Sequence, residues 1–130
     1  SMELKAELED EIGLATGHHE FGNLYFKKGE KDSALKEYNQ ALEIEERYRD
    51  FQGIAVTKAQ IGLVEKELFN FADAVEAFTV AWELFKRLQS PNAAAIEAAL
   101  KPAAEMVDVA TFKDRQNKVR ASVEELVASE

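Results

Sequence analysis

Two segments of this chain align without a gap at an offset of 40 residues, and that self-similarity limits the fold more than any other feature. Gly22 is followed by Ala34, Tyr38 and Ala41; at the same spacings Gly62 is followed by Ala74, Phe78 and Ala81. Phe21 and Ile61 precede the two glycines. Small residues at these intervals set the close approach of two antiparallel helices, and the aromatic one turn beyond Ala34 or Ala74 is expected to fill the space where they diverge. Each segment therefore reads as helix, short turn, helix.

The turns fall at Lys28–Asp32 and Phe69–Asp73. Gly29 and Asn70 suit a left-handed helix end, and the aspartates suit the start of the next helix. A break at Asp50–Gly53 separates the segments, with the following helix expected near Ile54. Upstream, Leu4, Leu8, Ile12 and Ala15 recur at helical spacing, so the first helix should run from near Glu3 to Lys27, weakened by Gly13 and Gly17. Downstream, Ser90-Pro91-Asn92 marks a helix start, and Ala93–Asp108 reads as a further helix kinked or degenerate at Pro102. A final helix over Phe112–Ala128 places Phe112, Gln116, Val119, Val123 and Leu126 on one face, as a cap would.

These residues resemble the tetratricopeptide pattern, read here as His18, Phe21, Gly22, Tyr25, Ala34, Tyr38 and Ala41, and in the second copy as Lys58, Ile61, Gly62, Glu65, Ala74, Phe78 and Ala81. The second copy carries Glu65 in place of the first helix's aromatic, and Glu46 and Lys86 stand at the family's proline. The longer period fits helices that run on past that point, as in family members with 40-residue repeats. The likeness spans roughly residues 15 to 89. It implies an all-α, right-handed superhelical solenoid of antiparallel hairpins in one domain, 1–130: a first repeat with its N-terminal extension at 2–50, a second at 53–89, and a degenerate third hairpin with cap at 91–130.

Composition agrees with this. Of 130 residues, 46% are hydrophobic, enough for one continuous core, and only 2 prolines and 6 glycines interrupt a helix-forming sequence. With no cysteine, neither a disulfide framework nor a thiol nucleophile is available, and a reducing, cytoplasmic compartment is expected. Ser1 before Met2 has the look of a residue left by tag removal, with a longer parent protein expected. A formal charge of -9 disfavours nucleic acid and anionic membrane as partners, and leaves basic peptides compatible.

Catalysis and metal binding find little support. His18 and His19 point about 100 degrees apart on a helix, and neither shares a face with a second ligand at the neighbouring turn. His18 is expected between helices and His19 on the groove face. The serines lack a nucleophile elbow and no glycine-rich phosphate loop occurs, so no enzyme activity and no cofactor are expected. Trp82 is expected to pack toward the next helix.

The resemblance places the docking groove on the first helix of each repeat: His19, Asn23, Phe26 and Lys27, then Val56, Gln60, Leu63 and Lys66, with Thr16, Glu20, Ala59 and Glu67 on the same faces. Members that clamp a peptide's terminal carboxylate use positions that carry His19, Asn23 and Gln60 here. An apolar strip of Phe26, Val56, Ala59 and Leu63 implies instead a buried partner side chain. The expected function is a non-enzymatic interaction module or scaffold that docks a protein or peptide segment. The alternatives are a self-associating solenoid, hence a homo-oligomer, and a small-ligand-binding domain.

Overall fold

The computed structural model describes residues 2–128. It holds six helices: α1 Met2–Lys27, α2 Lys31–Arg47, α3 Phe51–Glu67, α4 Phe71–Arg87, α5 Asn92–Glu105 and α6 Val109–Ala128. No strand occurs among the described residues. Helices α2, α3 and α4 each have 17 residues and are separated by three-residue turns, so the underlying structural unit is 20 residues.

That shorter period explains where the turns lie. Gly29, Arg49, Phe69 and Gln89 adopt positive φ of 80°, 56°, 63° and 54°. At each, the next residue's N–H reaches back across the helix end: Glu30 to the Tyr25 carbonyl at 2.9 Å, Asp50 to Glu45 at 2.9 Å, Asn70 to Glu65 at 2.9 Å and Ser90 to Phe85 at 2.9 Å. The left-handed residue donates to the carbonyl three before it, as Gly29 does to Phe26 at 3.0 Å. These are Schellman ends, which satisfy carbonyls the helix would leave open. The expectation for Gly29 is met; that for Asn70 is not. Phe69 takes the left-handed position and Asn70 precedes the next helix, because the hydrogen-bonding register of the helix end outweighs side-chain preference.

Left-handed backbone costs a non-glycine residue about 1–2 kcal/mol. Gln89 is exposed, so Gln89→Gly should raise unfolding free energy by about 1 kcal/mol. Urea titration reads this directly, and a loss of stability would contradict the Schellman assignment.

Helix starts also differ from expectation. α3 begins at Phe51 rather than near Ile54, since Asp50 accepts a bond from the Gly53 N–H at 2.9 Å and caps the helix. Asp32 and Asp73 lie inside the first turns of α2 and α4 instead of capping them, where their charge still favours the helix dipole.

Helices α1 and α2 form one hairpin and α3 and α4 the next, joined by packing of α2 on α3. At each hairpin a ring covers a glycine. A Cβ on Gly22 would lie 2.6 Å from the Tyr38 ring, and one on Gly62 would lie 2.6 Å from the Phe78 ring. The aromatics thus lie directly over the glycines; glycine makes the room and the ring fills it.

α4 is the central helix, packing on α3, α5 and α6. One apolar cluster joins Tyr38 and Leu42 to Ile54, Val64, Leu84, Phe85, Val119 and Val123, and a second joins Val75 and Phe78 to Ala103 of α5. α5 carries Pro102 within its length and ends at Glu105, three residues short of the expected Asp108. α6 does not mirror α2. Its main packing is on α4, with Arg49 donating to the Leu126 and Val127 carbonyls at 3.2 and 3.3 Å. Arg115 binds Asp73 at 2.9 Å and Glu76 at 2.6 Å, and Gln116 donates to Thr79 at 2.7 Å. Val119 and Val123 are buried, as the expected apolar face requires. Trp82 is only half-buried, with the Lys86 ammonium 3.8 Å from its ring centre, so it is not a core residue.

Candidate functional site

The first helices of the two repeats, α1 and α3, bring His19 and Val56 to the same pocket, of about 390 Å³. Ile12, Ala15, Thr16 and Glu20 of α1 complete one wall, and Gln52 and Gly53 belong to α3. The third wall comes from the end of α2 and its turn: Ile44, Glu45, Tyr48 and Asp50. The pocket therefore has an apolar lining from Ile12, Ala15, Ile44 and Val56, with three carboxylates, Glu20, Glu45 and Asp50, around it.

Glu45 is 8% exposed and accepts a hydrogen bond from the Thr57 hydroxyl at 2.7 Å. Burial pushes its carboxyl up to about 7, a shift that the Thr57 bond opposes and the charges of Asp50 and Glu46 reinforce. Gly53 permits this crowding, since a Cβ there would meet an Asp50 oxygen at 2.3 Å and a Glu45 oxygen at 2.6 Å. Near neutral pH the pocket can thus hold a proton on Glu45 or release it to meet a cation.

His19 stacks edge-on against Tyr38 with ring centres 5.3 Å apart. Burial pushes its imidazole down from the ordinary histidine value, partly opposed by Glu20, which favours the neutral ring. Its Nε2 is buried without a hydrogen-bond partner among the described residues. Asn23 lies one turn on, its Nδ2 3.4 Å from His19 Nδ1, and its Oδ1 accepts from the Tyr38 hydroxyl. A carboxylate clamp through a charged His19 is therefore disfavoured by the surroundings of the ring. Lys27 and Lys66, further along α1 and α3, are exposed.

The remaining predicted residues divide. Phe26 and Val56 are half-buried against the main cluster, and Gln60 is half-buried on α3. Leu63 packs with the second cluster, whose buried members are Ala74, Val75 and Phe78 of α4 and Ala103 of α5. His18 lies between α1 and α2, its Nδ1 2.7 Å from Glu37. No group of three side chains able to hold a metal ion occurs among the described residues.

Sequence reasoning missed the α2 wall, because it assigned the groove to first helices alone. One signal was available. Glu45 aligns with Phe85 at the repeat offset, and Phe85 is a core residue, so a carboxylate at that position had to be buried.

A family model described as "Tetratricopeptide repeat" matches residues 15–48, which cover the second half of α1 and all of α2. No curated protein and no solved structure matches the chain. No helix among the described residues is long and apolar enough to cross a membrane.

Proposed function

Since the match at residues 15–48 supports assignment to the tetratricopeptide-repeat family, we propose that this protein is a non-catalytic interaction module that docks a partner's protein segment in the groove between α1 and α3. The single observation that carries the reading is the pocket at the head of that groove, where an apolar lining is ringed by Glu20, Glu45 and Asp50. Such a site suits a segment that inserts one apolar side chain and sets a lysine or arginine beside it. His19, Asn23 and Gln60 supply polar atoms along the segment, and Lys27 and Lys66 receive any acidic neighbour further on. Phe26, Val56 and Leu63 support the groove floor from below rather than reaching deep into the partner.

The test is selection of peptides from a displayed random library on the 130-residue chain, followed by binding measurements with Ile12→Glu and Gln60→Arg. Ile12 is exposed at the pocket, so its substitution leaves the core intact. The expected result is enrichment of peptides pairing an apolar residue with a basic one, and a loss of affinity of about tenfold or more in Ile12→Glu. Binders unaffected by both substitutions would place docking elsewhere.

A further inference from the structure

The repeat equivalence exposes a surface that the groove does not use. In α3 the row Ile54, Thr57, Ile61 and Val64 faces α2, with Thr57 bonded to Glu45 of that helix, and these residues are buried. The equivalent row of α1, at the 40-residue offset, is Leu14, Gly17, Phe21 and Leu24. Leu14, Phe21 and Leu24 are 52%, 56% and 47% exposed, against 1%, 8% and 0% for Ile54, Ile61 and Val64. The face that seats a helix in the second repeat is thus present in the first, with apolar chemistry kept, and nothing in the described structure covers it.

The same row continues with Asp10 before it and Lys28 after it, at alternating steps of four and three residues. A seam of this spacing keeps one line along a helix and is the spacing on which two helices pair. Its order is acidic, apolar, basic. Such a seam is complementary to itself when two copies run antiparallel, and not when they run parallel.

We propose that two copies of this chain associate through α1, antiparallel and two-fold symmetric about a point near His19. In this register Asp10 lies opposite Lys28 of the partner subunit, Leu14 opposite Leu24 of the partner subunit, and Phe21 over Gly17 of the partner subunit. The last contact repeats the device that closes both hairpins, where an aromatic ring covers a helix-interior glycine. It also accounts for Gly17, at which an added Cβ would meet nothing within 4 Å among the described residues and which costs the helix about 1 kcal/mol relative to alanine. Neither Asp10 nor Lys28 has an ion-pair partner among the described residues, so both are available to the second copy. The seam is separate from the pocket between α1 and α3, so the two surfaces can be occupied at once.

Sedimentation equilibrium of the 130-residue chain from micromolar to millimolar concentration tests this. The expected result is a reversible monomer–dimer equilibrium that Phe21→Glu weakens by about a hundredfold, with unchanged helical circular dichroism because Phe21 lies on the surface. Asp10→Lys alone and Lys28→Asp alone should each weaken the dimer by roughly tenfold, since two symmetric like-charge contacts arise, and the two together should restore it. A monomer at every concentration overturns the proposal, as does a dimer indifferent to Phe21→Glu. Failure of the double exchange to recover what the single ones lose overturns the antiparallel register.

Discussion

Replacing Gly62 with alanine should destabilise the protein by about 2 kcal/mol, although the same change inside an ordinary exposed helix stabilises it by roughly 0.5–1 kcal/mol. The reversal follows from one distance. A Cβ at Gly62 would lie 2.6 Å from two carbons of the Phe78 ring, and Phe78 is buried. Gly13, where an added Cβ meets nothing, is the internal control and should show the ordinary stabilising sign. Phe78→Leu, itself destabilising through the cavity it leaves, should cost less in the Gly62→Ala background than alone. That coupling, of about 1 kcal/mol in a double-mutant cycle from urea unfolding, attributes the loss to the ring and glycine contact rather than to helix propensity. Additive losses would show that the ring does not set the spacing of α3 and α4.

The second large effect is a pH dependence at Glu45. A carboxyl raised from 4.5 to about 7 by burial holds its proton more tightly in the folded state than in the unfolded one. Its contribution to stability is therefore fully present below about 4.5 and lost as pH rises to 7, above which the ionised group is a fixed cost. The size is roughly 3 kcal/mol between the two limits. Glu45→Gln mimics the protonated carboxyl and keeps an acceptor for the Thr57 hydroxyl. The variant should thus be more stable than the parent by a few kcal/mol at pH 8 and nearly equal to it at pH 4.5. Parallel stability curves across that interval would refute the raised carboxyl. The same group gives the pocket a charge that depends on pH near neutrality, so a basic partner segment should bind more tightly at pH 8 than at pH 6.

Much of the fold was legible because its determinants are local and repeated. Gly22 with Tyr38 and Gly62 with Phe78 sit at fixed intervals, and the hairpins follow from packing a ring against a glycine. The apolar face of α6 was equally plain from Val119 and Val123. What the sequence concealed was set by groups that carry no side-chain signature. The left-handed positions at Arg49, Phe69 and Gln89 are fixed by carbonyls of the preceding helix ends, so an arginine, a phenylalanine and a glutamine occupy places where composition points to glycine or asparagine.

The candidate site was half visible. His19 and Val56 share a pocket, as residues on matching faces of α1 and α3 should, but Leu63 packs into the second cluster, which α4 and α5 build together. The acidic wall from Glu45 and Asp50 depends on how closely the α2–α3 turn approaches α1, which is a tertiary distance that no spacing rule encodes. Only the alignment of Glu45 with the buried Phe85 hinted at it.

The central claim is that partner segments bind between the first helices of the two repeats. Amide chemical-shift mapping tests it most directly, with isotope-labelled protein titrated by a library-selected peptide carrying an apolar residue next to a basic one. The largest shifts should fall on Thr16, His19, Asn23, Gly53, Val56 and Gln60, along α1 and α3 at the pocket. Shifts confined instead to α4 and α6, on the opposite side of the stack, would contradict it.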